Sequence, residues 1–149
     1  MKNWLIGGIF ILAVVLGAVI YQNFGGSTAV LSGAELDWRQ LSEMDYITGK
    51  APKELEALNG KPVKIPGFMV PLEDDQRAVT EFLLVPNAQA CIHVPPPPPN
   101  QMVYVKMKKG TASVVEPIWV YGTFNIVTKN SQYGDASFEI IGEGVELYK

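Results

Sequence analysis

Residues 118–127 read IWVYGTFNIV, the longest strand signal in the chain that no proline interrupts. β-Branched and aromatic residues dominate it, and its alternation is typical of a strand with one buried face. Gly122 interrupts the run in its middle, which predicts a β-bulge or a tight bend of the kind found in small barrels. From the alternation we also expect the side chain of Trp119 to be buried.

Other stretches on both sides carry the same strand signal. They are residues 61–72, 79–85, 90–94, 102–107, 138–141 and 145–148. Pro62, Pro66 and Pro71 lie in the first of them, and prolines of this kind belong at sheet edges or bulges. Five to seven short strands with closely spaced turns predict a mainly β domain. A small OB-like antiparallel β-barrel suits a chain of this size, and the sequence leaves the strand order open.

Short helices are predicted before the first long strand. Asp37 has the residue type of an N-cap for one helical turn. A second short helix is expected between Pro52, which suits the first helical position, and Gly60, which suits a left-handed end. Leu55 and Leu58 would form the buried face of that second helix.

The N-terminal segment differs in composition from the rest of the chain. Residues 4–21, WLIGGIFILAVVLGAVIY, are uncharged and mostly apolar. As a helix they would span about 27 Å, close to the hydrocarbon thickness of a bilayer. Trp4 and Tyr21 stand where interfacial aromatic residues belong, and Lys2 favours a cytoplasmic N-terminus. We therefore expect residues 1–22 to form a single transmembrane helix, with a cleaved secretory signal as the alternative.

A flexible linker over residues 23–34, which contains Gly-Gly-Ser-Thr, is expected to lead into one domain over residues 35–149. The chain has 12 Lys+Arg and 15 Asp+Glu, and Lys2 is its only charged residue before Glu35. The domain therefore carries 11 positive and 15 negative side chains. It lacks the basic surface that a nucleic-acid partner would require.

The only cysteine and the only histidine of the chain occur in residues 90–101, ACIHVPPPPPNQ. In an extended segment residues i and i+2 face the same side, so Cys91 and His93 would project together. Thiolate and imidazole are ligands suited to zinc, with copper as the alternative metal. The prolines that follow would form a stiff polyproline II arm about 15 Å long; they are Pro95, Pro96, Pro97, Pro98 and Pro99.

A closed zinc site needs four ligands, and one chain supplies only two of the Cys/His type. The candidate carboxylate ligands are Glu73 and Asp74, which form the densest acidic cluster of the chain together with Asp75. A solvated hairpin turn is the alternative interpretation of this acidic cluster.

Other interpretations of the Cys-x-His-proline stretch stay open. The proline run with Asn100 and Gln101 would be a partner-binding surface for a protein with an aromatic groove, while Cys91 and His93 are structural. The run would alternatively be architectural and pack against aromatic side chains of its own domain. A thiol-dependent enzyme would use a thiolate–imidazolium pair, but no second histidine, oxyanion motif or nucleophile elbow accompanies it.

The motif Cys-Ile-His-Val-(Pro)5-Asn-Gln at residues 91–101 resembles the hallmark of a bacterial extracytoplasmic family labelled only as a domain of unknown function. Residues 66–73 and 117–123 also resemble its pattern. The resemblance implies a Gram-negative protein whose relatives are often encoded beside a MacB- or LolE-like transporter and a zinc-regulated periplasmic protein.

The resemblance, taken with the apolar N-terminal segment, leads us to expect a single-pass inner-membrane protein with its C-terminal domain in the periplasm. Its function would be accessory: zinc binding or handling, in association with an ABC-type transporter or a periplasmic metal-binding protein. The alternative function is a protein-interaction module.

Overall fold

The computed structural model describes residues 32–88 and 95–149. The predicted transmembrane helix over residues 1–22 lies outside these described residues, as does the strand predicted at residues 90–94. Within residues 32–88 and 95–149, none of the helices has the length and apolar character of a bilayer-spanning segment. This part is mainly β, with a six-stranded sheet and two short α-helices, which confirms the mainly β part of the predicted fold class.

Helix α1, Trp38–Ser42, is capped at its N-terminus by Asp37, as predicted. The Asp37 carboxylate accepts a hydrogen bond from the Gln40 backbone N–H at 2.9 Å, and the Gln40 side chain accepts one from the Asp37 N–H at 3.0 Å. This reciprocal pair is a capping box, which satisfies two backbone donors at the helix start. Leu41 is the buried residue of α1.

Helix α2, Lys53–Glu56, is shorter than predicted and starts after Pro52, which is its N-cap and not its first helical residue. Leu55 is buried, and Leu58 packs against the same core. Gly60 has φ of +76°, so the predicted left-handed residue after the helix is confirmed.

The six strands follow the chain as β1 Ala34–Glu35, β2 Pro62–Pro71, β3 Val79–Val85, β4 Val103–Thr111, β5 Ile118–Ser131 and β6 Gly134–Leu147. Their order in the sheet is β1-β2-β3-β4-β6-β5, and β2 also pairs with β5. The pairs β1–β2 and β4–β6 are parallel, so the antiparallel expectation holds for the other pairs only. β6 runs parallel to β4 because the chain reverses direction twice, once into β5 and once into β6.

β2 is continuous through its three prolines, although these predicted an edge or a bulge. Pro62 and Pro71 are its first and last residues. On one side of β2 the partner strand β1 reaches only Lys64, and β3 begins to pair only at Phe68. Pro66 lies in the gap between them, where its carbonyl accepts a hydrogen bond of 2.6 Å from the Trp38 indole N–H. Because no strand pairs with Pro66 on this side of β2, its missing N–H breaks no hydrogen bond of the sheet.

The β5–β6 hairpin contains the irregularity predicted at Gly122. Tyr121 pairs with Gly144 while Gly122 pairs with Gly142, so Glu143 is an extra residue on β6. The two strands predicted at residues 138–141 and 145–148 are therefore one strand, and that part of the prediction was wrong. A bulge lets a strand bend while its pairing continues on both sides. The sequence pattern did not distinguish such a bulge from the end of a strand.

Two apolar clusters form on the sheet. The main core contains Val103 and Val105, and the second, smaller cluster contains Met102 and packs against Tyr104. Because successive residues of a strand point to opposite faces, the two clusters occupy the two sides of β4. The fully buried side chains of the second cluster include Leu83 and Val85.

The prediction that Trp119 is buried was wrong. Its neighbours Ile118 and Val120 have the core positions, at 1% and 0% exposure, and Trp119 is half-buried on the opposite face of β5. There the Lys64 ammonium lies 4.4 Å from the centre of the indole ring, and the Tyr148 ring centre lies 5.0 Å away. Alternation alone did not say which phase of the strand faces inward.

We predict that Trp119→Ala lowers the free energy of unfolding by about 1–2 kcal/mol, because only part of its apolar area and the contacts with Lys64 and Tyr148 are lost. Urea unfolding followed by circular dichroism measures this change. A loss of about 4 kcal/mol, as for a fully buried aromatic side chain, would contradict the half-buried position.

Candidate functional site

The proline segment ends in a 3-10 helix, Pro99–Gln101, whose buried residue is Asn100. The Nδ2 group of Asn100 donates hydrogen bonds to the carbonyls of Ser42 and Met44, both at 3.0 Å. Ser42 is the last residue of α1, and carbonyls at a helix C-terminus lack intrahelical partners. Asn100 therefore fixes the end of the proline segment to the end of the first helix.

Gln101 makes a weaker contact with the same helix. Its Nε2 group donates to the Trp38 carbonyl at 3.3 Å. The next side chain, Met102, is buried in the second apolar cluster at 2% exposure. The amides of Asn100 and Gln101, both predicted to bind a partner, are thus engaged inside the domain.

The hydrogen bonds of Asn100 to Ser42 and Met44 form a buried clamp. The prolines before this clamp remain accessible to solvent. Pro95, Pro96 and Pro98 are exposed, whereas Pro97 and Pro99 are half-buried. Pro98 has φ of −63° and ψ of 155°, which is polyproline II geometry. The three exposed prolines are the accessible part of the surface that the sequence predicted.

The predicted carboxylate ligands lie on the connection between β2 and β3. The Glu73 carboxylate accepts hydrogen bonds from the Thr80 N–H at 2.5 Å, the Thr80 hydroxyl at 2.7 Å and the Glu81 N–H at 3.2 Å. These bonds, those from Thr80 foremost, hold the pKa of Glu73 below its usual value. Asp74 is exposed and has no hydrogen-bond partner among the described residues. Glu73 thus joins the two sides of the β2–β3 hairpin, and these three hydrogen bonds are called the hairpin staple below.

Among the described residues, Glu73 and Asp74 form no hydrogen bond or ion pair with residues 95–101. Glu73 binds Thr80 at the start of β3, whereas the proline segment leads into β4, whose first residue pairs with Leu84 near the end of β3. Thr80 and Leu84 are four positions apart, which is about 13 Å along β3. Cys91 and His93 lie outside the described residues. Within residues 32–88 and 95–149, no group of three or more His, Cys, Asp or Glu side chains is placed to hold a metal ion.

We predict that the hairpin staple depends on pH with a defined sign. Because the folded state lowers the pKa of Glu73, its stabilising effect is fully present above the usual value of 4.5 and is lost as the pH falls through the lower folded value. Glu73→Gln should therefore lower the melting temperature at pH 7 and bring a smaller loss near pH 3. Asp74→Asn is the matched control and should change the melting temperature at neither pH.

A polar network on β3 and β4 was not named by the sequence analysis. The Tyr104 hydroxyl donates to a carboxylate oxygen of Glu81 at 2.8 Å, and the Lys106 ammonium lies 3.2 Å from the other oxygen. Burial, followed by the hydrogen bond and charge of Glu81, raises the pKa of Tyr104 to about 12. The Tyr104 phenol therefore stays protonated at neutral pH and acts as a hydrogen-bond donor to Glu81.

One apolar groove of about 290 Å³ opens beside the end of β2. It is lined by Phe68, Met69, Val70, Pro71, Ala88, Val115 and Tyr133. Tyr133 is the only one of these side chains with an ionisable group, so the described lining offers mainly shape and apolar surface.

Comparison with known proteins gives a family for the fold. No curated protein matches this chain. A crystal structure of a DUF3299 family protein from Pseudomonas aeruginosa PAO1 is similar to it, with 35% sequence identity and a TM-score of 0.65 over 79% of this chain and 97% of that chain. The family described as "Protein of unknown function (DUF3299)" matches residues 32–147. This chain therefore belongs to the DUF3299 family.

Proposed function

We propose that this protein is a membrane-anchored, periplasm-facing accessory protein that binds a protein partner through Pro95, Pro96 and Pro98. One observation carries the proposal: these prolines are exposed while the buried amide of Asn100 fixes the end of their segment. A polyproline II segment has no internal hydrogen bonds and little backbone freedom to lose, so it suits a groove lined with aromatic side chains. The partner in this proposal is an envelope protein with such a groove, for example a subunit of an ABC-type transporter.

Photo-crosslinking in the full chain tests this surface. A benzophenone amino acid at position 96 should give one discrete adduct with another envelope protein, identified by mass spectrometry. The same probe at position 109 is the control, because Lys109 is exposed on another part of the domain. Replacing Pro95 and Pro98 with glycine should remove the adduct. Absence of the adduct at position 96, or an equal adduct at position 109, would contradict the proposal.

The proposal includes the shape of the domain and its attachment. An OB-like barrel is supported by the pairing pattern, because each of β2 to β6 has two neighbours in the closed order β2-β3-β4-β6-β5.

The apolar run at residues 4–21 supports an inner-membrane anchor. A phosphatase fused after Tyr148 should then be active in the periplasm. A mature chain beginning near residue 20 would contradict the anchor.

Metal binding by Cys91 and His93 is the second candidate function, with zinc as the first metal and copper as the alternative. It is favoured by the sequence, in which Cys91 and His93 are two residues apart and a stiff proline run begins at Pro95. Glu73 does not favour it, because three hydrogen bonds already occupy its carboxylate. Metal analysis of the purified full chain against Cys91→Ser/His93→Ala decides the matter: an equal metal content in both would contradict this function.

A further inference from the structure

The loop between α1 and α2 presents two apolar side chains to solvent. Ile47 is 84% exposed and Tyr46 is 44% exposed. Single exposed apolar residues are normal on protein surfaces and need no explanation. This pair differs from that background because the backbone that carries it is fixed from both ends.

Asp45 holds the loop in one conformation. Its Oδ1 atom accepts hydrogen bonds from the backbone N–H groups of Ile47 at 3.0 Å and Thr48 at 3.2 Å, and its Oδ2 atom accepts one from the Thr48 hydroxyl at 2.8 Å. The Asp45 N–H donates to the Lys50 carbonyl at 2.9 Å, which closes the loop. Gly49 supplies the positive φ, at +73°, that the turn requires.

Met44, the residue at the base of this loop, also binds the end of the proline segment. Met44 precedes Asp45 directly, its side chain is buried, and its carbonyl accepts a hydrogen bond from the Asn100 amide. The base of the loop and the end of the proline segment are therefore joined by one buried hydrogen bond, between Asn100 and Met44.

We propose that Ile47, with Tyr46 beside it, is a second anchor for the same partner, and that this partner carries an apolar pocket next to its aromatic groove. This inference rests on the proposed function and names a further part of its binding surface. A fixed loop loses little conformational entropy when it is buried, and a few such anchors supply most of the affinity of an interface.

A lipid surface is the competing occupant of an exposed apolar loop. The flanking charges disfavour it, because Glu43 and Asp45 are both acidic and only Lys50 is basic in this stretch. The hydrogen bond that joins Met44 to Asn100 favours a protein, because it attaches the loop to a polyproline segment of the kind that protein grooves recognise.

The test places the benzophenone probe at position 47 of the full chain and compares it with the probe at position 96. The expected result is an adduct with the same protein from both positions, identified by mass spectrometry. Asp45→Ala should lower the yield from position 47 by about threefold or more and the yield from position 96 by less, because the loop loses its hydrogen bonds while the proline segment keeps those of Asn100. Asp74→Ala, which removes an exposed carboxylate elsewhere, is the matched control and should change neither yield.

The outcomes separate this inference from the proposed function. An adduct from position 96 together with lipid adducts, a different protein or no adduct from position 47 overturns the inference and leaves the proline surface in place. No adduct from either position overturns both. An unchanged yield from position 47 in Asp45→Ala overturns the role of the fixed loop.

Discussion

Gly122→Ala is expected to lower the free energy of unfolding by about 3 kcal/mol or more, and an incompletely folded domain is the extreme form of the same result. A Cβ atom at this position would lie 2.2 Å from the Ile141 carbonyl oxygen, 2.7 Å from Cγ2 of Ile140 and 2.9 Å from Cα of Gly142. Two of these atoms belong to the backbone of β6, so no side-chain rotation relieves the contact. The bulge between β5 and β6 would have to open.

Chemical denaturation followed by circular dichroism measures this loss, with Gly49→Ala as its control. Gly49 has φ of +73° and no atom within 4 Å of an added Cβ. Its replacement should cost only the backbone strain of about 1–2 kcal/mol. If Gly122→Ala is no more costly than Gly49→Ala, the close packing of β5 on β6 at the bulge is contradicted.

Asn100→Asp is expected to destabilise the domain by about 3 kcal/mol at neutral pH, since it places an unpaired charge in a buried position. Asn100 is 8% exposed, and its amide donates to the carbonyls of Ser42 and Met44. An ionised aspartate has the same shape and donates no hydrogen bond, so it would face two carbonyl oxygens.

The same substitution predicts a pH dependence. The two carbonyls disfavour the charged form, so the pKa of the introduced aspartate should be raised in the folded state. A raised folded pKa means that the relative stability of the variant is highest below the unfolded value and falls as the pH rises through the folded value. The difference in melting temperature from the wild type should therefore narrow between pH 7 and about pH 4.

Gln101→Glu is the matched control, because it makes the same amide-to-carboxylate change at a half-buried residue with one bond of 3.3 Å. It should cost clearly less than Asn100→Asp at neutral pH. Equal losses in the two variants would contradict the buried clamp at Asn100.

The local features of this protein could be predicted from the sequence. The N-cap at Asp37, the left-handed Gly60, the strand over residues 79–85 and the irregularity at Gly122 were all predicted and are confirmed. Each depends on the chemistry of one residue or on a short pattern, because caps, turns and strand propensity act within a few positions of the chain. The mainly β class follows from the same signals.

The side of each element that faces inward, and the pairing of distant groups, depend on the tertiary structure. Trp119 is half-buried and Ile118 is core, because the pairing of β5 with β2 and β6 sets the phase that alternation leaves open. Glu73 staples a hairpin through Thr80, only seven residues away, whereas Asn100 clamps α1 through carbonyls that lie 56 and 58 residues away along the chain. A hydrogen bond over such a separation leaves no local pattern in the sequence, so only the folded chain assigns the role of Asn100.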